Sequence, residues 1–552
     1  MAPMLSAKIL VKEKKDRESL LKKLFAPFNR GYNRLNQIYG KLLAWSLNHK
    51  FLIIFASILI FFSSLVLIPF IGKEFMTQGD RGEFNVILET PVGTSIQTTE
   101  KMATEVERIL FTYPDVQSIF TTIGLESGTS NKGSIRVELV PLEERSKKTV
   151  EVEKEVRKRL AEMPGLKARV SMIGMFEGEE DYPLQLYIKG PELSVLDELS
   201  GRILTILEKI PGVADPDRSI RGGKPEMRVV VNREKASRLG VSTAQIATTL
   251  RSLVDGNVAT KLRQGEKEID IRVILPPEQK NNFQDISSLD ISTTAGTAVP
   301  LKSIADFYEE SGPTQISRNN RERAATITAN VVDRPLGDVV NDLNKKLAGF
   351  PLPPGYRIEY VGDVEMMGDM FKNMVLALVI GIIFIYIVLG SQFNSFLHPF
   401  TIMLALPLAV VGALLAEFLT GQSINMMAMV GVILLMGIVT KNSILLIDYT
   451  ITLRKKGMQR EEALLKAGPV RLRPILMTSA AMIMGMLPAA LGLGEGAEWR
   501  QGMGITVIGG LITSTLLTLI VVPVTYIVVD NFGEFLKRNI KIGEQKSGGE
   551  NV

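Results

Sequence analysis

The chain has 552 residues, 46% of them hydrophobic, with a mean hydropathy of +0.17 and a formal net charge of +5. That balance is too apolar for an ordinary soluble enzyme and too charged for a pure membrane bundle. With no cysteine, disulfide frameworks, thiolate nucleophiles and thiolate metal sites are excluded, and His49 and His398 alone make a histidine metal centre improbable.

In chain order, residues 1–50 are basic and contain an amphipathic segment from Glu18 to Leu35, read as a cytoplasmic linker. No cleavable leader is legible, so the apolar run 51–71 is expected to act as the insertion signal. Five further runs, near 372–390, 397–419, 425–449, 474–493 and 503–529, are each long enough for a hydrocarbon core that needs roughly 20 residues. Six membrane helices are predicted. The segment Arg454 to Arg473 is basic, whereas Thr420-Gly-Gln-Ser-Ile-Asn425 has no Lys or Arg and Gly494 to Arg500 has one. We read the positive charge as the positive-inside bias rather than as a nucleic-acid footprint, which puts both termini in the cytoplasm. The intervening segment of about 300 residues, long enough for two or more domains, then lies outside, in the periplasm if the cell has two membranes.

That insert carries a repeat visible only in its punctuation. Ile109-Leu-Phe-Thr-Tyr-Pro-Asp-Val116, Arg159-Leu-Ala-Glu-Met-Pro-Gly-Leu166, Ile206-Leu-Glu-Lys-Ile-Pro-Gly-Val213 and Lys346-Leu-Ala-Gly-Phe-Pro-Leu352 each follow helical spacing and precede a strand. Met102, Val106, Ile109 and Leu110 share a face at i, i+4, i+7 and i+8 before the proline stops the helix. Alternating segments at 83–88, 135–139, 184–188 and 357–360 supply strands, and two split βαβ domains fit the count. The fourth unit comes about 90 residues later than the rhythm of the first three allows. The excess marks a third subdomain nested in the second βαβ domain, with a helix from Ser242 to Val254 and a strand from Ile269 to Ile274. The expected division is 1–50 linker, 51–71 first membrane helix, 72–181 first βαβ subdomain, 182–231 with 316–365 second βαβ subdomain, 232–315 nested subdomain, 366–530 five membrane helices and 531–552 tail.

Within Gly437-Ile-Val-Thr-Lys-Asn-Ser-Ile-Leu-Leu-Ile-Asp-Tyr449, Lys441 and Asn442 interrupt a long apolar run. At 1.5 Å per residue Lys441 lies ~15 Å or more from either water phase. A charge at that depth costs at least ~2.5–3.5 kcal/mol and faces a partner or a wet path. Asp448 is two turns nearer the basic end and Glu417 belongs near the opposite end of its helix, so neither matches its depth. Two readings stand, a fixed ion pair that only joins helices and a member of an ion route. Arg471 and Thr478, which share a face at i+7 on the next helix, favour the route, with a carboxylate opposite Lys441 titrating under its influence and protons as the driving ion.

The segments 437–449, Arg471-Leu-Arg-Pro-Ile-Leu-Met-Thr-Ser479, Leu389-Gly-Ser-Gln-Phe-Asn-Ser-Phe396 and Gly509-Gly-Leu-Ile-Thr-Ser514 resemble the C-terminal half of resistance-nodulation-division (RND) transporters, closest to their hydrophobe/amphiphile efflux branch. The resemblance covers nearly the whole chain. It implies a helical membrane bundle with an α+β extracytoplasmic part of two porter subdomains and a nested docking subdomain. It further implies a trimeric pump in the inner membrane, driven by the proton motive force without a cofactor, moving lipophilic compounds from the periplasm or outer leaflet to an adaptor and an outer-membrane channel. Lys441 resembles the lysine that pairs with an aspartate couple in the family's first half, and Asn442, Arg471 and Thr478 match its relay neighbours. Ser118-Ile-Phe-Thr-Thr-Ile-Gly-Leu125 is similar to a phenylalanine-rich substrate pocket in which Phe120 keeps the aromatic, while Thr122 and Leu125 replace bulkier positions. Phe120 reads equally well as core of its βαβ unit.

A full family member has two such halves, and the aspartate couple lies in the first. Met1 to Lys8 is similar to the end of that half's last helix, so the resemblance implies either a split-gene subunit needing a separate N-terminal half or part of a longer protein. Two other functions compete: a Cu(I) or Ag(I) efflux branch, for which Met172 and Met175 would offer thioethers, and an RND-like accessory subunit assisting protein export. An enzyme is disfavoured. Gly124-Leu-Glu-Ser-Gly128 matches a hydrolase elbow only loosely and has no histidine nearby, and Glu177-Gly-Glu-Glu-Asp181 reads as a solvated acidic loop.

Overall fold

A computed structural model of the chain describes residues 20–547 except 78, 125–128, 174–181, 221–222, 277–278, 280–282, 294–295, 313–314 and 495. Met1 to Lys8, Leu125, Met175, the elbow-like residues 125–128 and the acidic run 177–181 therefore lie outside the described residues.

The amphipathic segment is part of a longer helix, α1 (Leu20–Asn48), whose apolar face extends well past Leu35. Tyr39, Leu43 and Leu47 are buried on it, and the Tyr39 hydroxyl donates to the Leu519 carbonyl at 3.0 Å. Residues 36–48 are thus packed against the bundle rather than serving as a free linker. The helical path bends at His49 (φ −113°, ψ 48°) before α2 (Lys50–Leu65), which is apolar on all sides as a lipid-facing helix requires.

Beyond α2, strand β1 (Glu83–Glu89), helix α3 (Ile96–Leu110), strands β2 (Val116–Ile123) and β3 (Lys132–Leu139), helix α4 (Thr149–Leu160) and strand β4 (Lys167–Met172) form one unit. Its sheet is antiparallel, ordered β2-β3-β1-β4, with Phe84 facing Val137 on one side and Met172 on the other. Period-2 alternation sends Phe84, Val86, Leu88, Ile135 and Val137 under the two helices. On α3 the buried stripe is Thr99, Ala103, Val106 and Leu110, so Met102 and Ile109 sit at its margins rather than at its centre.

A second unit repeats the connectivity. Strand β5 (Leu184–Lys189), helix α5 (Leu193–Leu207) and strand β6 (Val213–Arg218) precede an insertion, and β14 (Glu322–Val331), α9 (Leu336–Leu347) and β15 (Arg357–Val361) follow it. Strands run in the order β6-β14-β5-β15. The punctuation has a plain cause: α3, α4, α5 and α9 end at residues 110, 160, 207 and 347, each four residues before a proline that cannot continue a helix. After two of those prolines, Gly165 (φ 75°) and Gly212 (φ 89°) take the left-handed conformation that turns the chain into the next strand.

The insertion begins with β7 (Lys224–Val231), α6 (Arg233–Arg238), α7 (Thr243–Val254), the hairpin β8 (Asn257–Gln264) and β9 (Lys267–Val273), and α8 (Phe283–Ser287). It closes with the short pair β10 (Asp290–Ser292) and β11 (Ala298–Pro300) and then β12 (Ala305–Gly312); the two-residue β13 (Arg318–Asn319) leads into β14. Strands β7 and β12 pair along their full length, forming a two-stranded stalk that leaves from and returns to the second sheet unit. Its small core is Ala236, Val241, Ile246, Ile291, Leu301 and Ile304.

Helices α10 (Asp363–Phe393), α11 (Leu397–Met403), α12 (Ala405–Thr420), α13 (Met426–Lys455), α14 (Arg460–Ala490) and α15 (Glu498–Ser547) complete the chain. Among the described residues six helices are long and apolar enough to cross a membrane: 50–70, 363–393, 397–420, 426–455, 460–490 and 498–535. Several outrun their hydropathy signal. Helix α10 starts nine residues before the apolar run at 372, and α14 starts at Arg460, so Arg471 and Arg473 are helical rather than part of a linker. Hydropathy marks the apolar stretch only, whereas backbone hydrogen bonding carries the helix through polar residues and past Pro469 and Pro474. The bundle core gathers Leu43, Leu435, Val439, Ile475, Leu511 and Tyr526, with α12 and α15 nearly in backbone contact: a Cβ on Gly412 would stand 2.3 Å from the Gly509 carbonyl oxygen.

Residues 72–74 join the bundle to the sheet units. Ile424 N–H donates to the Gly72 carbonyl at 2.8 Å, Glu74 N–H to the Ile424 carbonyl at 3.2 Å, and Gly337 N–H, at the start of α9, to the Lys73 carbonyl at 2.8 Å. The loop between α12 and α13 is therefore on the same side of the bundle as the insert.

Candidate functional site in the helical bundle

Helix α13 presents two faces. Leu434, Gly437, Lys441, Asp448 and Thr452 are exposed at spacings of three, four and seven, one continuous stripe. Lys441 stands in that stripe and makes no hydrogen bond or ion pair among the described residues. Its side chain is not enclosed by its own chain; it lies on the bundle surface at mid-helix.

One residue further on, about 100° round the helix, Asn442 points inward and is 2% exposed. Its Nδ2 reaches the Ser479 hydroxyl of α14 at 3.4 Å, which in turn bonds the Thr515 hydroxyl of α15 at 2.9 Å. Thr515 closes the chain on the Leu511 carbonyl at 2.6 Å. All three side chains are buried, so a polar thread crosses three helices at one level, and the Asn442 Oδ1 has no partner. Each hydroxyl both donates and accepts, which is what passage of a proton along such a thread requires.

Sequence reasoning placed Arg471 and Thr478 beside Lys441. The Arg471 guanidinium stacks 4.6 Å from the ring centre of Tyr449, and the Thr478 hydroxyl bonds the Ile475 carbonyl of its own helix at 3.0 Å; neither bonds Lys441 among the described residues. The inward-facing residue is the neighbour of Thr478. Ser479 continues the buried stripe of Leu472 and Ile475 at i+7 and i+4, a helical phase that the sequence alone could have supplied. Thr515 is signalled only by lying next to Ser514.

In the first sheet unit Phe120 and Thr122 lie on β2 opposite Arg136 and Ser134. Phe120 is 71% exposed, which rules out the core reading; it stands on the sheet face away from α3 and α4, where Ser118 donates to Glu138 at 2.7 Å and Arg136 pairs with Glu83. Met172 is half-buried in β4 opposite Phe84, the setting of a packing residue.

Comparison with known proteins follows the same outline. Residues 1–530 match the AcrB/AcrD/AcrF family. The chain is 30% identical over 519 residues to multidrug resistance protein MdtC of Serratia proteamaculans (strain 568), covering 92% of this chain and 50% of that protein. It is 30% identical over 505 residues to swarming motility protein SwrC of Bacillus subtilis (strain 168), covering 90% of this chain and 48% of the relative. A crystal structure of a heavy metal efflux pump superposes with a TM-score of 0.82 at 23% identity, over 90% of this chain and 52% of the pump. At that identity the likeness shows a shared fold. The chain spans about half the length of the curated relatives it matches, and it belongs to the AcrB/AcrD/AcrF family of RND efflux transporters.

Proposed function

We propose that this chain is the C-terminal half of a proton-driven RND pump, either as a separate subunit or as part of a longer polypeptide, exporting hydrophobic and amphiphilic compounds. The observation that carries the reading is Lys441, a cation on an exposed mid-helix stripe, backed by the buried thread Asn442–Ser479–Thr515. A lone charge at that depth is unfavourable in lipid. A second half docking on the stripe of α13 with a carboxylate at the level of Lys441 would neutralise it, and protonation of that carboxylate would release the pair and allow the helices to move.

In this reading the insert faces the periplasm, both termini are cytoplasmic, and three copies of each half assemble with an adaptor and an outer-membrane channel. The sheet units take up substrate, with Phe120 and Thr122, and Leu125 beyond the described residues, lining part of its path.

The test is dye efflux in pump-deficient cells expressing the chain together with the N-terminal half from its own source. Protonophore-sensitive efflux that is lost in K441A, with membrane level and assembly unchanged, is the expected result. Undiminished efflux from K441A would remove Lys441 from the mechanism.

A further inference from the structure

A second ionisable group is buried in the bundle, far from Lys441. Glu417 lies on α12, one turn before the helix ends at Thr420, and is 2% exposed. One carboxyl oxygen accepts a hydrogen bond from the hydroxyl of Thr506 on α15, which is itself 1% exposed, and the other oxygen, Oε2, has no partner. The helices around it leave no room for adjustment: a Cβ on Gly509 would come within 2.3 Å of the Ala416 Cβ.

Among the described residues no cation bonds this carboxyl. The outer segment brings Lys73 and Glu74, but the Lys73 ammonium sits 5.9 Å from the centre of the Phe371 ring and Glu74 is hydrogen-bonded by Ser423. Helix α15 contributes Glu498 and Arg500 in its first turn, then no charge until Asp530. Helix α2 carries only Lys50 and α11 only His398, both at the opposite end of the bundle; α13 carries Lys441 and the groups beyond it, about 15 Å along the helix from Gly431, which packs against Thr506. None of these bonds Glu417 among the described residues.

An ionised carboxylate enclosed by helices with a single hydroxyl donor is left with half its hydration unreplaced, whereas the neutral acid loses far less on burial. The packing is that of the acid. The anion would need water or a cation drawn between α12 and α15. The Gly421 turn, which ends α12 on the side of the insert, is one turn away.

We infer that Glu417 is a proton-binding site, exchanging with the side of the membrane that carries the insert and distinct from the Lys441 centre. Ionisation there would loosen the seam between α12 and α15. The loop following α12 is hydrogen-bonded through Ile424 to residues 72 and 74, and Lys73 to α9. Proton occupancy would therefore bear on the piece of backbone that joins the bundle to the second sheet unit. The inference rests on the enclosure of this carboxyl by its own chain and needs no second half, so its failure leaves the reading of Lys441 intact.

Infrared difference spectroscopy on the purified full chain in lipid nanodiscs, titrated from acid to alkaline pH, tests it. The expected result is the carbonyl stretch of a protonated carboxyl in apolar surroundings that fades reversibly as pH rises and is missing from E417Q. A band that is absent, or that persists unchanged wherever the protein stays folded, would make Glu417 a fixed structural group and overturn the proposal. T506V keeps the carboxyl and removes its one donor. In that variant the band moves to higher frequency if Glu417 is its source, and an unmoved band counts against the assignment even where E417Q fails to fold.

Discussion

Two regions of this molecule handle buried charge in opposite ways. Where the two sheet units meet, edge strand β4 of the first approaches edge strand β6 of the second, and cations meet carboxylates across the seam. Arg169 pairs with Asp217 at 2.7 Å, Lys167 reaches the same carboxylate at 2.5 Å, and Arg157 pairs with Asp215 at 2.8 Å. Asn330 ties the Val170 carbonyl to Asp215, and Lys154 bonds Asp333. On α13, by contrast, Lys441 pairs with no carboxylate among the described residues. The seam pairs its charges within one chain and holds its parts in one arrangement, while on the proposed reading the helix face is completed from outside. Charge that is paired internally builds structure; charge left open at a surface builds an interface or a switch.

Breaking the seam should have the largest effect on stability. D217A removes the carboxylate that bonds the buried Arg169 guanidinium at 2.7 Å and leaves it the more distant Glu89 at 3.9 Å; breaking a buried pair in this way typically costs ~3–5 kcal/mol. E89Q/R169M/D217L removes the buried charges together and should cost much less, a contrast readable by denaturant or thermal unfolding of the purified protein. Equal losses in the two variants would mean that packing, not pairing, matters there.

The next effect is at Asp80, enclosed with Arg145 and Thr149 in the first sheet unit. Its oxygens accept from Arg145 at 2.7 Å, from the Thr149 backbone at 3.0 Å and from Gly82 N–H at 3.1 Å, besides the Thr149 hydroxyl. Burial alone would raise its pKa, but the hydrogen bonds from Thr149 and Arg145 together outweigh burial and hold the carboxyl below its ordinary value. A depressed folded-state value means that this stabilisation is present above the unfolded-state pKa of about 3.9 and is lost as pH falls through the folded value. D80N should lower stability near neutrality by ~1.5–3 kcal/mol and flatten the acid limb of an unfolding profile. An acid limb as steep as that of the unmodified protein would remove Asp80 as a source of the pH dependence.

How much of this could be read from residues alone depended on how far apart the cooperating groups stand. The proline punctuation at 114, 164, 211 and 351 reports a helix stop four residues away, a local event, and its rhythm pointed to two sheet units with an insertion inside the second. The start of α14 at Arg460 was hidden because hydropathy sees only its apolar part. On the helix after Lys441 and Asn442 the face chosen by spacing was that of Arg471 and Thr478, whereas the residue that bonds Asn442 is Ser479, one position further on. The seam left no trace in the sequence. It joins residues 48 to 179 positions apart and depends on Asp215 adopting φ 48°, an unusual left-handed conformation for a non-glycine residue beside a bulge in the β6–β14 pairing.

The polar thread tests the comparison from the membrane side. N442L should destabilise the bundle by only ~0.6–1.7 kcal/mol, because interhelical hydrogen bonds in membrane proteins carry little net energy. If the thread moves protons, efflux by the assembled pump falls well beyond what that loss explains, and S479A does the same with T478A near normal. If all three variants track stability alone, the thread is structural like the seam, and the two regions differ less than their charges imply.

The smallest effect on stability is expected at Phe120. A ring 71% exposed on an uncovered sheet face contributes little to folding, so F120A should shift stability by no more than ~0.5 kcal/mol. Such an exposed aromatic on a polar face, between Ser118 and Thr122 and opposite Arg136, has apolar area available to a ligand. Efflux of flat aromatic dyes should therefore fall in F120A relative to that of aliphatic amphiphiles, measured as a ratio within the same cells so that expression cancels. An unchanged ratio would place the substrate path elsewhere than on the open face of this sheet. A uniform fall of both would mean instead that Phe120 packs against a neighbouring subunit, and the open face would then be one more surface, like the stripe of Lys441, that is completed from outside the chain.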